Sequence, residues 1–177
     1  MQTIYFKAPW GNSVIASTII ISVIILAASY GPLQMAGMPK IGVKILGIAL
    51  LALMSGVIVV AYLLSPKGYM ITDDKLVIDR PIKSIEIRLA EISNVEEAAT
   101  DILKDSTRLL GCDGLWGLYG RYQNDKLGNY RLYVRQKSGQ VIIRSRDTYV
   151  IAPEKPSEFK EALRRAVKTC VIGGTLK

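Results

Sequence analysis

The sequence holds no histidine and only two cysteines, Cys112 and Cys170. Without histidine the commonest general base and metal ligand is missing, so acid–base catalysis and a zinc centre have little to build on. Two cysteines are too few for a disulfide framework, and both are expected to be free thiols, which suits a reducing compartment. Charge is missing from two long stretches. No Asp, Glu, Lys or Arg occurs between Ala8 and Pro39, nor between Ile45 and Pro66. Acidic residues are absent from the whole front of the chain, and all 15 fall between Asp73 and Glu161. A charge at the centre of a bilayer costs about 2.5–3.5 kcal/mol on insertion scales, so such an absence is a physical signature.

What fills the two stretches is apolar on every side. The run from Ile19 to Leu26 has no helical stripe, and a helix that is apolar all round belongs in lipid or in a large core. The second run, Ile45 to Leu64, would be about 30 Å long as a helix, the thickness of a hydrocarbon core. Tyr30 and Tyr62 stand near the ends, where aromatic rings favour the interface. The expectation is an N-terminal segment 1–12, a transmembrane helix over 13–30, a short loop over 31–41 and a second transmembrane helix over 42–65. Gly31, Pro32, Gly37 and Pro39 supply the turn signals. Ala27-Ala28-Ser29 has the small residues of a signal cleavage site, but the weakly charged start and the long apolar run argue against removal. A hairpin puts both termini on one side, with Lys7, Lys67, Lys75 and Arg80, and leaves Lys40 and Lys44 on the other. The excess points to a cytoplasmic N-terminus and a cytoplasmic C-terminal domain. Ala52 and Gly56 form a small-x-x-x-small pair that would let a helix pack closely.

After Pro66 the pattern changes to alternation. Ile85, Ile87 and Leu89 share one face of a strand, with Ser84, Glu86 and Arg88 on the other. Asp73-Asp74 and Arg80-Pro81 read as turns. Residues 130–135 and 140–143, joined by Ser138-Gly139, read as a hairpin, and 144–151 as one further strand after a bend. Pro156 opens a final helix whose apolar face carries Phe159, Leu163, Ala166, Val167 and Cys170, with Gly173-Gly174 as its stop. The fold class is α+β: a two-helix transmembrane hairpin, then one domain over 66–172 of antiparallel strands capped by a C-terminal helix.

The order of motifs resembles the bacterial pleckstrin-homology (PH) domain families, most closely the type that follows two membrane helices. The likeness covers about residues 64–170. It rests on Gly68-Tyr69 leading into Leu76-Val77-Ile78, on Ile87-x-Leu89-x-x-Ile92-x-x-Val95, and on Arg108-x-x-Gly111-x-x-Gly114. It continues through Gly117-Leu118-Tyr119-Gly120-Arg121-Tyr122 and Tyr149-Val150-Ile151-Ala152-Pro153 to Pro156-x-x-Phe159. The resemblance implies a seven-strand PH-like β-barrel or sandwich capped by the last helix. It implies almost no chemistry, because fold does not dictate function.

Glycine recurs every third residue at Gly111, Gly114, Gly117 and Gly120. The spacing is wrong for a phosphate-cradling loop. One reading is a tight turn with glycine bends; the other is an aromatic-tipped contact loop of Leu115, Trp116, Leu118, Tyr119, Arg121 and Tyr122, meeting a protein partner or a membrane. Net charge is +8. A spread surface excess explains it plainly, and Lys67, Lys75, Arg80 and Lys83 are the candidates for a basic face toward anionic lipid headgroups. No helix-turn-helix spacing, zinc finger or long basic run points to nucleic acid. In PH domains that bind phosphoinositides, basic residues flank the first hairpin; here that turn carries Asp73 and Asp74 with Lys75 alone beside them. Cys112 has no identifiable base, and Glu96, Glu97, Asp101 and Asp105 read as solvated surface. No enzyme activity, cofactor or metal is expected. The expected function is a membrane-anchored, non-catalytic interaction module that binds a protein partner or its own copies, with anionic-lipid sensing as the alternative. A peptide slot between a strand edge and the C-terminal helix is the place to look, bordered by exposed apolar groups.

Overall fold

The computed structural model describes residues 3–98 and 102–174. The chain begins with a short strand, β1 (Ile4–Lys7), followed by the helices α1 (Asn12–Ala28), α2 (Tyr30–Ala36) and α3 (Ile41–Leu64). Few of the helical side chains are covered: Val14 and Thr18 are the buried residues of α1, Gly47 and Ala61 those of α3. Such bare apolar surface is foreign to a core helix of a soluble protein. By length and composition the segments Asn12–Ala36 and Ile41–Leu64 are each able to cross a membrane.

The expected loop over 31–41 is corrected. The first helix breaks at Ser29 and resumes as α2, so only 37–40 form the turn. Pro32 accounts for the break. It lacks the N–H that would bond the Ala28 carbonyl four residues back, and its ring crowds that carbonyl. The helix survives because Ser29 keeps helical angles (φ −70°, ψ −14°), its hydroxyl donates to the Ile25 carbonyl at 2.8 Å, and the Leu33 N–H reaches Ser29 O at 3.0 Å. Helix α3 packs on α2 through Gly47, where a Cβ would come within 2.6 Å of Pro32 O and the Ala36 nitrogen. Gly56 faces open space, so the Ala52–Gly56 pair is not the contact that closes the hairpin.

Nine more strands follow: β2 (Gly68–Ile71), β3 (Lys75–Asp79), β4 (Ile85–Arg88), β5 (Asn94–Glu97), β6 (Thr107–Asp113), β7 (Leu118–Asn124), β8 (Gly128–Val134), β9 (Val141–Arg144) and β10 (Thr148–Ile151). Helix α4 (Pro156–Gly174) ends the described chain and includes both glycines expected to stop it. Two open sheets form, one in the order β1-β2-β3-β4, the other β5-β9-β10-β8-β7-β6. The architecture is a PH-like sandwich with more strands than the seven the resemblance implies.

The alternation over 84–89 holds: Ile87 and Leu89 are buried, while Glu86 and Arg88 are exposed. The expected β8–β9 hairpin is corrected. Strand β10 lies between them, antiparallel to β9 and parallel to β8, with Thr148 opposite both Arg144 and Tyr130. Residues 135–140 are long enough to carry the chain past the space of a whole strand, about 5 Å wide. The tight connection is instead at 145–147, where the Ser145 N–H bonds Asp147 O at 3.0 Å.

Core side chains from both sheets meet beneath α4. Tyr69, Leu76 and Ile78 face Ile143 and Ile151, and the fully buried Phe159 and Leu163 close the layer. Burying a side chain of this size contributes roughly 1.5–3 kcal/mol. A second cluster covers the other face of the larger sheet, built on Leu118, Tyr122, Tyr130, Leu132 and Val150, with Ile102 and Val14 of α1 over it.

Strands β6 and β7 approach most closely where Gly111 faces Gly120. Both have strongly positive φ, +137° and +131°. A Cβ on Gly120 would overlap the Leu110 carbonyl oxygen, and one on Gly111 the Tyr119 oxygen. Gly120→Ala is therefore expected to destabilise the full-length protein by about 2–3 kcal/mol. A thermal melt in detergent checks this, and an unchanged midpoint would rule out the close backbone contact.

Candidate functional site

The glycine-rich segment is where the domain meets its own helical hairpin. After β6 the chain turns at Gly114, whose N–H bonds Gly117 O at 3.0 Å. The Gly114 carbonyl accepts hydrogen bonds from two hydroxyls of α1, Ser17 at 2.8 Å and Thr18 at 2.9 Å. Thr18 in turn accepts the Trp116 backbone N–H at 3.0 Å. From α3, the Ala61 carbonyl accepts the Tyr119 hydroxyl at 2.7 Å. One loop thus holds both helices, and the polar groups of Ser17 and Thr18 inside an apolar run have a structural use.

Aromatic rings gather at the same point. The Trp116 ring meets Trp10 at 6.1 Å and Tyr62 at 5.4 Å, both edge to face. Trp116 itself has a positive φ of +63°. The Arg135 guanidinium lies over the Trp10 ring, 4.3 Å from its centroid, and its Nη2 donates to Ser65 Oγ at 2.8 Å. Arg135 is only 6 % exposed and has no ion-pair partner among the described residues. Its Nε and the Trp116 Nε1 are buried donors without acceptors. Each such orphan costs about 1–3 kcal/mol, and the cation–π contact offsets part of it. Burial pushes the Arg135 pKa down from its ordinary value, and the nearby rings of Tyr62, Tyr69 and Tyr5 counter that.

The expected contact residues divide by burial. Leu115, Leu118, Tyr119 and Tyr122 are buried, Trp116 is half-buried in the junction, and Arg121 alone is exposed. Burial raises the phenol pKa of Tyr119, Tyr122 and Tyr69 well above the ordinary value. These hydroxyls stay neutral and serve as hydrogen-bond donors, as Tyr69 does to the Tyr133 carbonyl at 2.8 Å.

The four basic candidates do not all converge. Lys67 follows the last turn of α3, and its N–H bonds Asp79 O at 2.8 Å. Arg80 and Lys83 bracket Ile82, whose N–H reaches Leu63 O of α3 at 3.3 Å. The Arg80 Nε donates to the Lys83 carbonyl at 2.7 Å, and its guanidinium sits over the Tyr133 ring. Ile82 is 61 % exposed between them. Lys75 lies at the other end of the β2–β3 hairpin, where Glu86 pairs with it at 3.1 Å.

The slot expected between a strand edge and the C-terminal helix is present as a cleft of about 500 Å³, with Ile4 and Ile71 on one side and Ala162, Arg165 and Ala166 of α4 on the other. The chain itself supplies one of its strands. Strand β1 pairs antiparallel with β2, Ile4 opposite Ile71 and Lys7 opposite Gly68. Phe6 sets its ring edge to face on Phe159 of α4 at 5.1 Å. Sequence reasoning missed β1, Trp10, Thr18 and Arg135. Trp10 beside the start of an apolar run and the adjacent Ser17-Thr18 within it were the available signals. Asp101 lies outside the described residues. Among them no group of three or more Cys, Asp or Glu side chains is placed to hold a metal ion.

A family model described as bacterial PH domain matches residues 67–167. No curated protein and no solved structure matches the chain.

Thr18→Val keeps the shape but removes an acceptor and a donor from the junction. The expected cost is about 1–3 kcal/mol, with a shift in tryptophan emission because both tryptophans stand there. Ser22→Ala, four residues along α1, is the comparison. Equal melting points and spectra for the two variants would contradict the junction.

Proposed function

The chain belongs to the bacterial PH domain family, and on that premise we propose that it is a membrane-anchored, non-catalytic interaction module whose hairpin spans the plasma membrane. The docking of the domain on both helices carries the reading. A freely tethered domain has no use for Thr18 and Ala61 as hydrogen-bond partners of its glycine loop. Apolar helices left bare along most of their length need lipid around them. The non-catalytic part rests on family membership.

Sidedness follows from charge. Lys7, Lys67, Arg80 and Lys83 lie at the domain end of the hairpin, Lys40 and Lys44 at its turn. The larger basic count supports a cytoplasmic domain and cytoplasmic termini. The aromatic cluster of Trp10, Tyr62 and Trp116 then sits at headgroup depth, where amphipathic rings are favoured. The domain's partner is a protein at the membrane surface.

A second reading is favoured by the exposed Ile82 between Arg80 and Lys83. An apolar tip flanked by cations, next to the end of α3, suits insertion into an anionic leaflet. Each basic residue adds about 1 kcal/mol of attraction there.

Single cysteines in a background lacking Cys112 and Cys170 test both. Lys40→Cys should react with an impermeant maleimide in intact cells, and Lys126→Cys only after lysis. Ile82→Cys should stay slow after lysis if the loop enters the leaflet, and should react as fast as Lys126→Cys if it does not. Identical labelling of Lys40→Cys and Lys126→Cys in intact cells, or release of the protein by alkaline carbonate, would overturn the anchored reading.

A further inference from the structure

Each sheet has two edges, and three of the four are short or capped. Strand β1 is a four-residue edge beside α4. Strand β4 is equally short and carries Glu86 and Arg88. The outer side of β5 is capped by α4, whose Arg164 donates through Nε and Nη2 to the Val95 carbonyl at 3.0 and 2.6 Å. Natural proteins guard their edges in these ways, because a bare edge invites another strand.

Strand β6 is different. It has seven residues, about 23 Å of extended chain, and every one is exposed except the half-buried Cys112. Its partner is β7 on one side, and no described residue pairs with the other side. Leu109 is 54 % exposed and Leu110 70 %. The pairing shifts between Arg108 and Leu110, which leaves Leu109 as the extra residue of a bulge. A bulge re-aims a side chain, and Leu109 here lines a cleft of about 290 Å³ together with Arg121, Asn129, Arg131 and Asp147.

Basic groups lead on the face that Leu110 shares, while Arg108, opposite Tyr122, and Asp113, opposite Leu118, lie on the other face. Arg121 stands opposite Leu110 on one neighbour and opposite Arg131 on the other. Like charges directly across a strand pair are destabilising. Asp147 relieves Arg131 at 2.8 Å, but among the described residues neither Arg121 nor Arg108 has an ion-pair partner. Asp113 is at the opposite end of β6 from Arg108.

We propose that β6 is a docking edge for an extended, acidic and apolar segment of a partner protein, which adds as a strand, seats an apolar side chain on Leu109 and Leu110, and gives a carboxylate to Arg121 on the same face. This deepens the interaction-module reading and rests on it. A second copy of the chain would set Arg108 against Asp113 in an antiparallel β6 pair, but it brings no carboxylate to Arg121 on the other face. An acidic partner segment does. Main-chain bonds supply the affinity and the alternate side chains the selectivity, as in other strand additions.

The test uses the full-length protein in lipid nanodiscs and two short fluorescent peptides, one repeating Val-Thr-Glu-Thr, the other Val-Thr-Lys-Thr, so that the apolar and charged side chains share one face. The acidic peptide should bind about tenfold or more tightly than the basic one. It should also slow hydrogen exchange of the β6 amides, which simple anion attraction would not do. Arg121→Glu should reverse the preference, and Arg108→Glu, on the other face of the strand, should change it far less. Equal binding of both peptides, or binding that leaves β6 exchange unchanged, overturns the docking edge. So does failure of both peptides to bind, and the cysteine labelling then decides separately whether the anchored module stands.

Discussion

An apolar hairpin returns its two ends to one side, and this protein ties both ends into a single sheet. Strand β1 precedes the helices and β2 follows them, yet Ile4–Lys7 and Gly68–Ile71 share an antiparallel ladder. The knot is tightened at Ala8, whose N–H bonds Lys67 O, and at Gly11, whose N–H bonds Arg135 O. A loop of this length would cost chain entropy to close. The hairpin meets that cost by pairing its own helices, so β1 needs only four residues to hold the start of the chain.

From that closure the other features follow. Gly11 and Trp10 arrive over β8, which brings Trp10 onto Arg135 and Arg135 onto Ser65 after α3. The glycine loop can then reach between the helices, where Gly114 and Trp116 find Thr18 and Tyr119 finds Ala61. Arg135 is the expensive member. A buried guanidinium without a carboxylate holds its place through one hydroxyl and one ring face, and it leaves an N–H unpaired. Removing such a group from a tightly packed junction costs more than its net contribution suggests, because its neighbours lose their partners together. The same closure covers the edge of β2 with β1 and sets Phe6 on Phe159 of α4.

How much of this the sequence displays depends on the range of the interaction. The two uncharged runs, the alternation through Ile85 and Ile87, and the face of Phe159 and Leu163 are local patterns, and the folded chain has them where the periodicity puts them. The break at Ser29 instead of a loop after Tyr30 reflects a balance between Pro32 and the helical bonds around it, which turn signals alone do not weigh. Ser138-Gly139 has the chemistry of a hairpin turn, and Gly139 does take a positive φ of +64°. The strand that inserts beside β8 comes from ten residues later, so no local rule finds it. Strand β1 is the hardest case. Ile-Tyr-Phe-Lys is too short for a period to speak, and its partner lies beyond the whole hairpin. Of the site, the aromatic and glycine spacing stood out in the sequence, but that it grips the chain's own helices depends on Trp116 and Tyr119 meeting Thr18 and Ala61, pairings between distant segments that no spacing shows.

Hydrogen exchange of the Phe6, Ala8 and Trp116 amides, followed in the full-length protein in lipid nanodiscs, tests the closure directly. If the N-terminal strand and the glycine loop bind the hairpin to the domain, these amides should be protected to the degree of β3 at the middle of the same sheet. Exchange at the rate of an unstructured chain, with β2 and β3 still protected, would show that the domain folds without its anchor and would contradict the account.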